Sequence, residues 1–392
     1  MSRARNLADL LDANGDVASG ALDNVPPSND ASALTTGTLP VERVPYVGRR
    51  NLIINGAMQV AQRGTSANTV TTAGYYTVDR WQLVRNASTA VFTLEQSIDA
   101  PVDFKNSFKT TVTATVSSGT TIYNFHRYSF EGQDIAHLNW GTSNAKTVTL
   151  SFWAKSSIAG THGVLIGRQN EAMYPATYAI NAADTWEYKT ITIDGPTSGS
   201  FATDNTAGFE VIYDLGVGST YSATAGAWDY VNNVFGVTGA VKLCETNGAT
   251  IQITGVQLEV GSVATPFEHR SYGEELALCQ RYYATSYPVG KYAEDDGGGL
   301  TDGSVFLAGN VTDACGGNTF PVQMRATPTL YCYHPSGGIA ANSVRAFSGS
   351  SPTGLTVTND LNQNGFFRLT SNSGSLTSGV MYSAHYTADA EL

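Results

Sequence analysis

The sequence predicts an all-β protein. Three observations lead there. Only 14% of the 392 residues are charged. Gly (40) and Tyr (20) are abundant, a composition that suits short strands and tight turns better than helical bundles. Apolar residues also recur at every second position in runs that Gly, Asn, Ser and Asp interrupt. The length allows two or three domains.

Residues 1–48 form an extended or short-helical segment. Asn6 to Leu11 places Leu7, Leu10 and Leu11 on one helical stripe. A weak repeat follows, Ser19-Gly-Ala-Leu-Asp-Asn-Val-Pro26 and Thr36-Gly-Thr-Leu-Pro-Val-Glu-Arg-Val-Pro45, with too few apolar residues per unit to bury a core. Such a segment is either a disordered tail or one that orders by packing on copies of itself or on another protein.

Residues 49–270 read as a two-sheet sandwich. In Thr147 to Lys155, Val148, Leu150, Phe152 and Ala154 share one face, while Thr149, Ser151, Trp153 and Lys155 share the other. Comparable runs are Val91 to Leu94, Lys109 to Val116, Trp186 to Ile193, Gly208 to Leu215 and Thr250 to Glu259. Ser271-Tyr-Gly-Glu274 fits a capping box, so residues 271–283 are expected to hold a short connecting helix. Residues 284–392 read as a second, smaller β-sandwich, with strands at Val305 to Val311, Thr329 to Tyr333, Phe366 to Thr370 and Val380 to Tyr386.

The net charge of −11 and the scattered basic residues argue against a nucleic-acid partner. The segment Met1 to Asp12 carries acids where a signal peptide needs an apolar stretch, and no run approaches a membrane span. The expectation is synthesis in a cytosol-like compartment, release by another route, and no membrane insertion. Cys244, Cys279, Cys315 and Cys332 lack metal-ligand spacing. Buried free thiols are the default reading, and a Cys315–Cys332 disulfide is conceivable although a reducing cytosol opposes it.

No nucleophile elbow, zinc helix or phosphate loop is present, so no catalytic residue, metal or cofactor is assigned. The pairs Glu131 with Asp134 and Glu259 with Glu268 are the carboxylates a glycan-cleaving enzyme could use, and each also suits a turn cap or an Arg partner. Asp12-Ala-Asn-Gly-Asp16 begins like a calcium loop, but Val17 and Asp23 stand where Gly and the bidentate Glu are needed. His126, His137 and His269 are not spaced as metal ligands, and His269 is expected in the connector.

Sugar rings pack their C–H faces on aromatic planes while polar side chains bind the hydroxyls. Trp140 lies in the polar stretch Leu138 to Asn144, and Trp228 and Tyr230 lie in Ala225 to Asn233. Tyr333, His334 and Tyr386 belong to an aromatic C-terminal set. These six are the glycan-binding candidates, whereas Trp81, Trp153 and Trp186, placed in strands, are expected in the core.

Several blocks carry a family resemblance: Asn51-Leu-Ile-Ile-Asn-Gly-Ala-Met-Gln-Val-Ala-Gln-Arg-Gly64, Val78-Asp-Arg-Trp81, Gly132-Gln-Asp-Ile-Ala-His-Leu-Asn-Trp-Gly141, Thr149-Leu-Ser-Phe-Trp-Ala-Lys155, Gly255-Val-Gln-Leu-Glu-Val-Gly-Ser-Val-Ala-Thr-Pro-Phe-Glu-His-Arg270 and Tyr272-Gly-Glu-Glu-Leu-Ala-Leu-Cys-Gln-Arg-Tyr-Tyr283. Together they resemble bacteriophage tail-fibre proteins over residues 50 to 283. The opening strand and Ile251 to Glu259 also resemble the ends of jelly-roll carbohydrate-binding modules. The tail-fibre resemblance implies a homotrimeric virion component, made in the host cytoplasm. It would attach to phage tail proteins through residues 1–48 and meet a host surface glycan or other envelope receptor through its β domains, with the C-terminal domain as the receptor contact. A spacer or adaptor without its own receptor site and a polysaccharide-degrading tail enzyme are the alternatives.

Overall fold

A computed structural model describes residues 49–86, 88–230, 233–293, 303–335, 344–346, 355–356, 360–371 and 376–392. The chain divides into two compact units, Met1–Arg49 and Arg50–Leu392. The expected helix at Asn6 to Leu11, the repeat after it and the Asp12–Asp16 loop lie outside the described residues.

In chain order the first strands are β1 (Ser66–Val70), β2 (Gly74–Tyr75), β3 (Trp81–Arg85), β4 (Val91–Ser97), β5 (Ser107–Ala114), β6 (Tyr123–Glu131) and β7 (Val148–Ser156). They continue as β8 (Gly160–Arg168), β9 (Ala172–Ile180), β10 (Glu187–Ile193), β11 (Ala207–Val217), β12 (Ser222–Ala223), β13 (Gly236–Val237) and β14 (Thr250–Val260). One six-stranded sheet runs β1-β4-β5-β14-β7-β10 and the other β2-β3-β6-β11-β8-β9. Neighbours in both are antiparallel. This is the sandwich the alternating runs predict. Each inner face supplies half the core, with Leu150, Phe152 and Ala154 facing Leu83, Tyr128 and Tyr213 in one buried cluster. Trp81 is the centre of that cluster, with ring centroids 5.4 Å from Tyr128, 5.9 Å from Tyr213 and 6.5 Å from Phe108.

In the second sheet the central strands β6, β8 and β11 are largely buried on both sides. Its outer face carries Phe125, Leu165 and Ile212, which pack under Val217, Val234, Phe235 and Val237 in a separate cluster. Phe125 and Phe235 stack at 5.2 Å and 25°. The covering segment is held by the parallel β12–β13 pair and by Asp214, whose carboxylate accepts Gly216 N at 2.8 Å and Val237 N at 3.1 Å. That leaves the other sheet as the sandwich's open face.

Two stretches far apart in sequence close the sandwich. The Asn51 side chain accepts from Leu258 N (3.1 Å) and Ile53 N (2.9 Å) and donates to Val256 O (3.1 Å). Glu268 accepts from Arg50 N (3.1 Å) and Asn51 N (2.9 Å), and Arg270 donates to Ile53 O (3.0 Å). The approach is so close that a Cβ on Gly56 would sit 2.1 Å from Val256 O, which only glycine allows.

Helix α1 (Tyr272–Gln280) follows, with the Ser271 side chain accepting from Glu274 N as the capping pattern predicts. It ends at Gln280, within the expected stretch 271–283. Its buried Glu275 accepts from Asn55 N at 2.5 Å and pairs with Arg270 at 3.3 Å.

The remaining strands are β15 (Tyr283–Thr285), β16 (Ser304–Ala308), β17 (Asp313–Thr319), β18 (Thr329–Tyr333), β19 (Arg345–Ala346), β20 (Leu355–Thr356), β21 (Leu361–Asn362), β22 (Gly365–Ser371) and β23 (Met381–Asp389). They form one nine-stranded sheet organised on β23, which pairs with β15, β16, β18 and β19. A second core, with Phe306, Phe366, Tyr382 and Tyr386, lies within it. Charged groups join the two β regions. Arg80 lies 3.5 Å from the Tyr282 ring centroid and pairs with the buried Glu391 carboxylate. Arg281 meets Glu131 at 2.6 Å. All four cysteines are free thiols, so the conceivable Cys315–Cys332 bond is absent; Cys315 is exposed and the other three are buried.

Candidate functional site

The open face of the sandwich carries an aromatic groove. The second half of strand β7 alternates: Phe152, Ala154 and Ser156 are buried while Trp153 and Lys155 point outward and are half-buried. The register then sets Trp153 beside Tyr188 of β10 on one side and Thr254 of β14 on the other. The Trp153 and Tyr188 rings lie 5.4 Å apart at 51°, and Tyr188 is 45% exposed.

A second aromatic cluster meets the first. Strand β14 is irregular between Thr254 and Gln257, where Gly255 adopts φ +59. A Cβ there would lie 2.6 Å from the Phe104 ring, so glycine admits Phe104 against the strand. Phe104 packs edge-on against Phe267 at 5.0 Å and meets His269 at 5.3 Å. The two clusters and Ser151 line a groove of about 850 Å³. Asp103 is its acidic lining residue and it contains no Lys or Arg. Large aromatic planes with few charges suit a neutral, hydroxylated ring compound.

Beside the groove, Asp99 accepts from Lys155 Nζ (2.7 Å), Trp186 Nε1 (3.1 Å) and Gln252 Nε2 (3.1 Å). Partial burial pushes its carboxyl up, but these donors outweigh burial and hold it below the usual range. The interaction fixes Trp186 and Lys155 on the same open face.

The six sequence candidates do not converge. Trp140 is 6% exposed, stacks on Phe209 at 4.5 Å and donates from Nε1 to Lys146 O at 2.9 Å, so its faces are packed against protein. Trp228 is half-buried against Trp140 and Tyr174, and Tyr230, two positions on, is exposed. Tyr386 is 4% exposed and belongs to the C-terminal core, between Phe320 and Phe366. Trp140 and Tyr386 are therefore corrected from binding candidates to core residues. Tyr333 and His334 are half-buried at the end of β18.

Trp153 and Trp186 require the opposite correction. Both were expected in the core, and both sit on the outer face; Trp81 alone of the three is core. Phe104, Tyr188 and Phe267 went unrecognised, and His269, expected in the connector, lines the groove. The signal for Trp153 was its place on the mixed face of β7, which outranks the general tendency of tryptophan to be buried.

The carboxylates considered for glycan cleavage have structural partners. Glu131 is held by Arg281 and by the Tyr282 hydroxyl at 3.0 Å. Glu259 accepts from Thr265 N (2.8 Å) and Thr265 Oγ1 (2.6 Å), and Glu268 belongs to the closure at Asn51. Among the described residues no group of three or more His, Cys, Asp or Glu could hold a metal ion. No helix among them is long and apolar enough to cross a membrane.

No protein-family model matches the chain, and no curated protein matches it. Solved structures that overlap part of it include the enzymatically active domain of bacteriophage CBA120 tailspike protein 4, at 14% identity and TM-score 0.27 over 50% of this chain and 21% of that one. The chain thus spans about a fifth of that tailspike domain. The family 11 carbohydrate-binding module of Clostridium thermocellum, in complex with a mixed-linked tetrasaccharide, overlaps 52% of this chain and 99% of its own at 12% identity and TM-score 0.25. A family 4 carbohydrate-binding module overlaps 53% of this chain and 98% of its own at 14% identity and TM-score 0.28. None of these likenesses is close enough to transfer a function.

Proposed function

We propose that the protein is a phage tail-fibre component that attaches to the host surface by holding a neutral glycan, without cleaving it, in the Trp153–Tyr188 groove. The observation that carries the binding part is the pair of aromatic clusters lining a groove that contains no Lys or Arg. A sugar ring seated there exchanges hydrated C–H surface for aromatic surface, with the exposed Asp103 available to its hydroxyls. The tail-fibre part rests on the sequence resemblance across residues 50 to 283, which also supports self-association as a trimer, attachment through residues 1–48 and residence in the virion. Weak single sites then gain avidity from repetition.

Excess purified chain should block phage adsorption to host cells, and the Trp153→Ala variant should block far less. A spacer without a receptor site would not compete at all, and reducing-end release from envelope polysaccharide would mark an enzyme instead.

A further inference from the structure

We propose that a second cleft, between β1 and the outer face of β18 and β23, is a further binding site for a neutral oligosaccharide. It shares no lining residue with the Trp153 groove and shares with the reading above only the class of ligand.

The cleft has a volume of about 810 Å³, and five tyrosines line it: Tyr75, Tyr76, Tyr283, Tyr331 and Tyr333. Tyr331 and Tyr333 stand two apart on β18 and therefore share its outer face. Tyr331 is 43% exposed. Hydroxyl and amide groups from Ser66, Asn68, Thr69, Thr72 and Thr387 lie among them, with Arg63 and Asp389 as the charged lining residues.

The walls are fixed to one another before any ligand arrives. Arg63 lies 3.6 Å from the Tyr283 ring centroid and 5.2 Å from that of Tyr75, and it pairs with Asp389 at 3.0 Å and Glu391 at 3.4 Å. Tyr75 donates to Leu392 O at 2.9 Å. A preformed cleft spares a ligand the cost of ordering its walls.

Charge selects the ligand class. The Arg63 side chain is only 9% exposed and its partners are acids, whereas Asp389 keeps 41% of its side chain exposed. An anionic polymer would meet the acid and find no available cation. An extended peptide is the other candidate, added to the free edge of β1. The register of β1 slips between Ala67 and Val70, and Thr69 turns to φ +59, which breaks the regular ladder that strand addition requires. Tyrosine faces, hydroxyls and an amide without a net cation leave a neutral glycan as the occupant.

The test is affinity electrophoresis of the full chain through native gels containing a neutral polysaccharide (β-glucan, xylan, mannan or galactan), with alginate as the anionic comparison. Retardation by a neutral polysaccharide should weaken roughly tenfold in Tyr331→Ala, the size expected for losing one aromatic platform, and return in Tyr331→Phe. Trp153→Ala should weaken it separately, and the double variant should run unretarded. If Tyr331→Ala migrates as wild type while Trp153→Ala abolishes retardation, the cleft proposal fails and the groove stands. The reverse pattern overturns the groove and keeps the cleft. Failure of all four neutral polysaccharides to retard the chain, or stronger retardation by alginate, overturns the cleft proposal as well.

Discussion

The Glu268 carboxylate accepts the backbone N–H of Asn51 at 2.9 Å across a sequence separation of 217 residues. Asn51 in turn spends its whole side chain on the β14 backbone and on Ile53 N, and it is 2% exposed. Replacing it with Ala leaves buried donors and acceptors on β14 and at Ile53 unmet, each costing about 1–3 kcal/mol. Asn51→Ala should therefore lose about 3 kcal/mol or more of stability in denaturant titration. A loss below about 1 kcal/mol would mean that the closure contributes little.

Gly255→Ala tests how the groove is built. The substitution forces a side chain into φ +59 and into the Phe104 ring. The expected outcome is a destabilisation of about 1–2 kcal/mol together with weaker glycan retention, because Phe104 must move. Retention at the wild-type level would show that Phe104 is not part of the binding surface.

Trp153→Ala, by contrast, should separate binding from folding. The ring is half-buried on the outer face, so the thermal midpoint should drop by only a few degrees while retention on a neutral polysaccharide falls about tenfold. A collapse of the fold would place Trp153 with the core residues.

Two buried groups give opposite pH signatures. Burial holds the His126 imidazole down at about 3, against an ordinary value of 6.5, and a hydrogen bond with the Gln82 backbone offsets this only in part. The unfolded chain takes up that proton first, so the stability present above pH 6.5 is lost as pH falls towards 3, by roughly 1 kcal/mol per pH unit. His126→Gln should gain on wild type in acid. Burial raises Asp214 from 3.8 to about 7, with the Val237 and Gly216 N–H groups opposing it, so its contribution is lost as pH rises through that window. Asp214→Asn should gain on wild type between pH 4 and pH 7 when the two unfolding curves are compared. Parallel curves for either pair would contradict the assignment.

Glu391→Ala should be the costliest change among the charged groups. It leaves Arg80, 1% exposed, without its carboxylate partner, and removing one member of a buried pair typically costs about 3–5 kcal/mol. Arg80 also donates to Ser129 O at 2.6 Å, so a milder effect, read by urea denaturation, would mean that this bond and the Tyr282 ring hold Arg80 by themselves.

The sequence made one sheet far more legible than the other. The runs at Val91, Lys109, Thr147, Trp186 and Thr250 all became strands of one sheet, and in β4, β5 and β10 the alternation survives because one side is more open to water. In the other sheet only β11 was read. Its neighbours β6 and β8 are buried on both sides, beneath Phe235 and Val237, so Tyr123 to Glu131 and Gly160 to Arg168 show no period of two. Pro175 in β9 further disguised that strand. The groove was illegible for a related reason. Phe104 and Phe267 come from loops 163 positions apart, and nothing in either loop announces the other; only Gly255, which makes room for Phe104, marks the meeting point.

The closure at Asn51 has a mechanical consequence. The chain enters the sandwich at Arg50 and leaves it at Arg270 through the same set of hydrogen bonds. Tension applied between these flanks is carried directly from one to the other, and the twelve strands hang outside the load path. A pulled molecule would keep its strands paired until the Glu268 and Arg270 contacts ruptured, and only then would strands begin to peel.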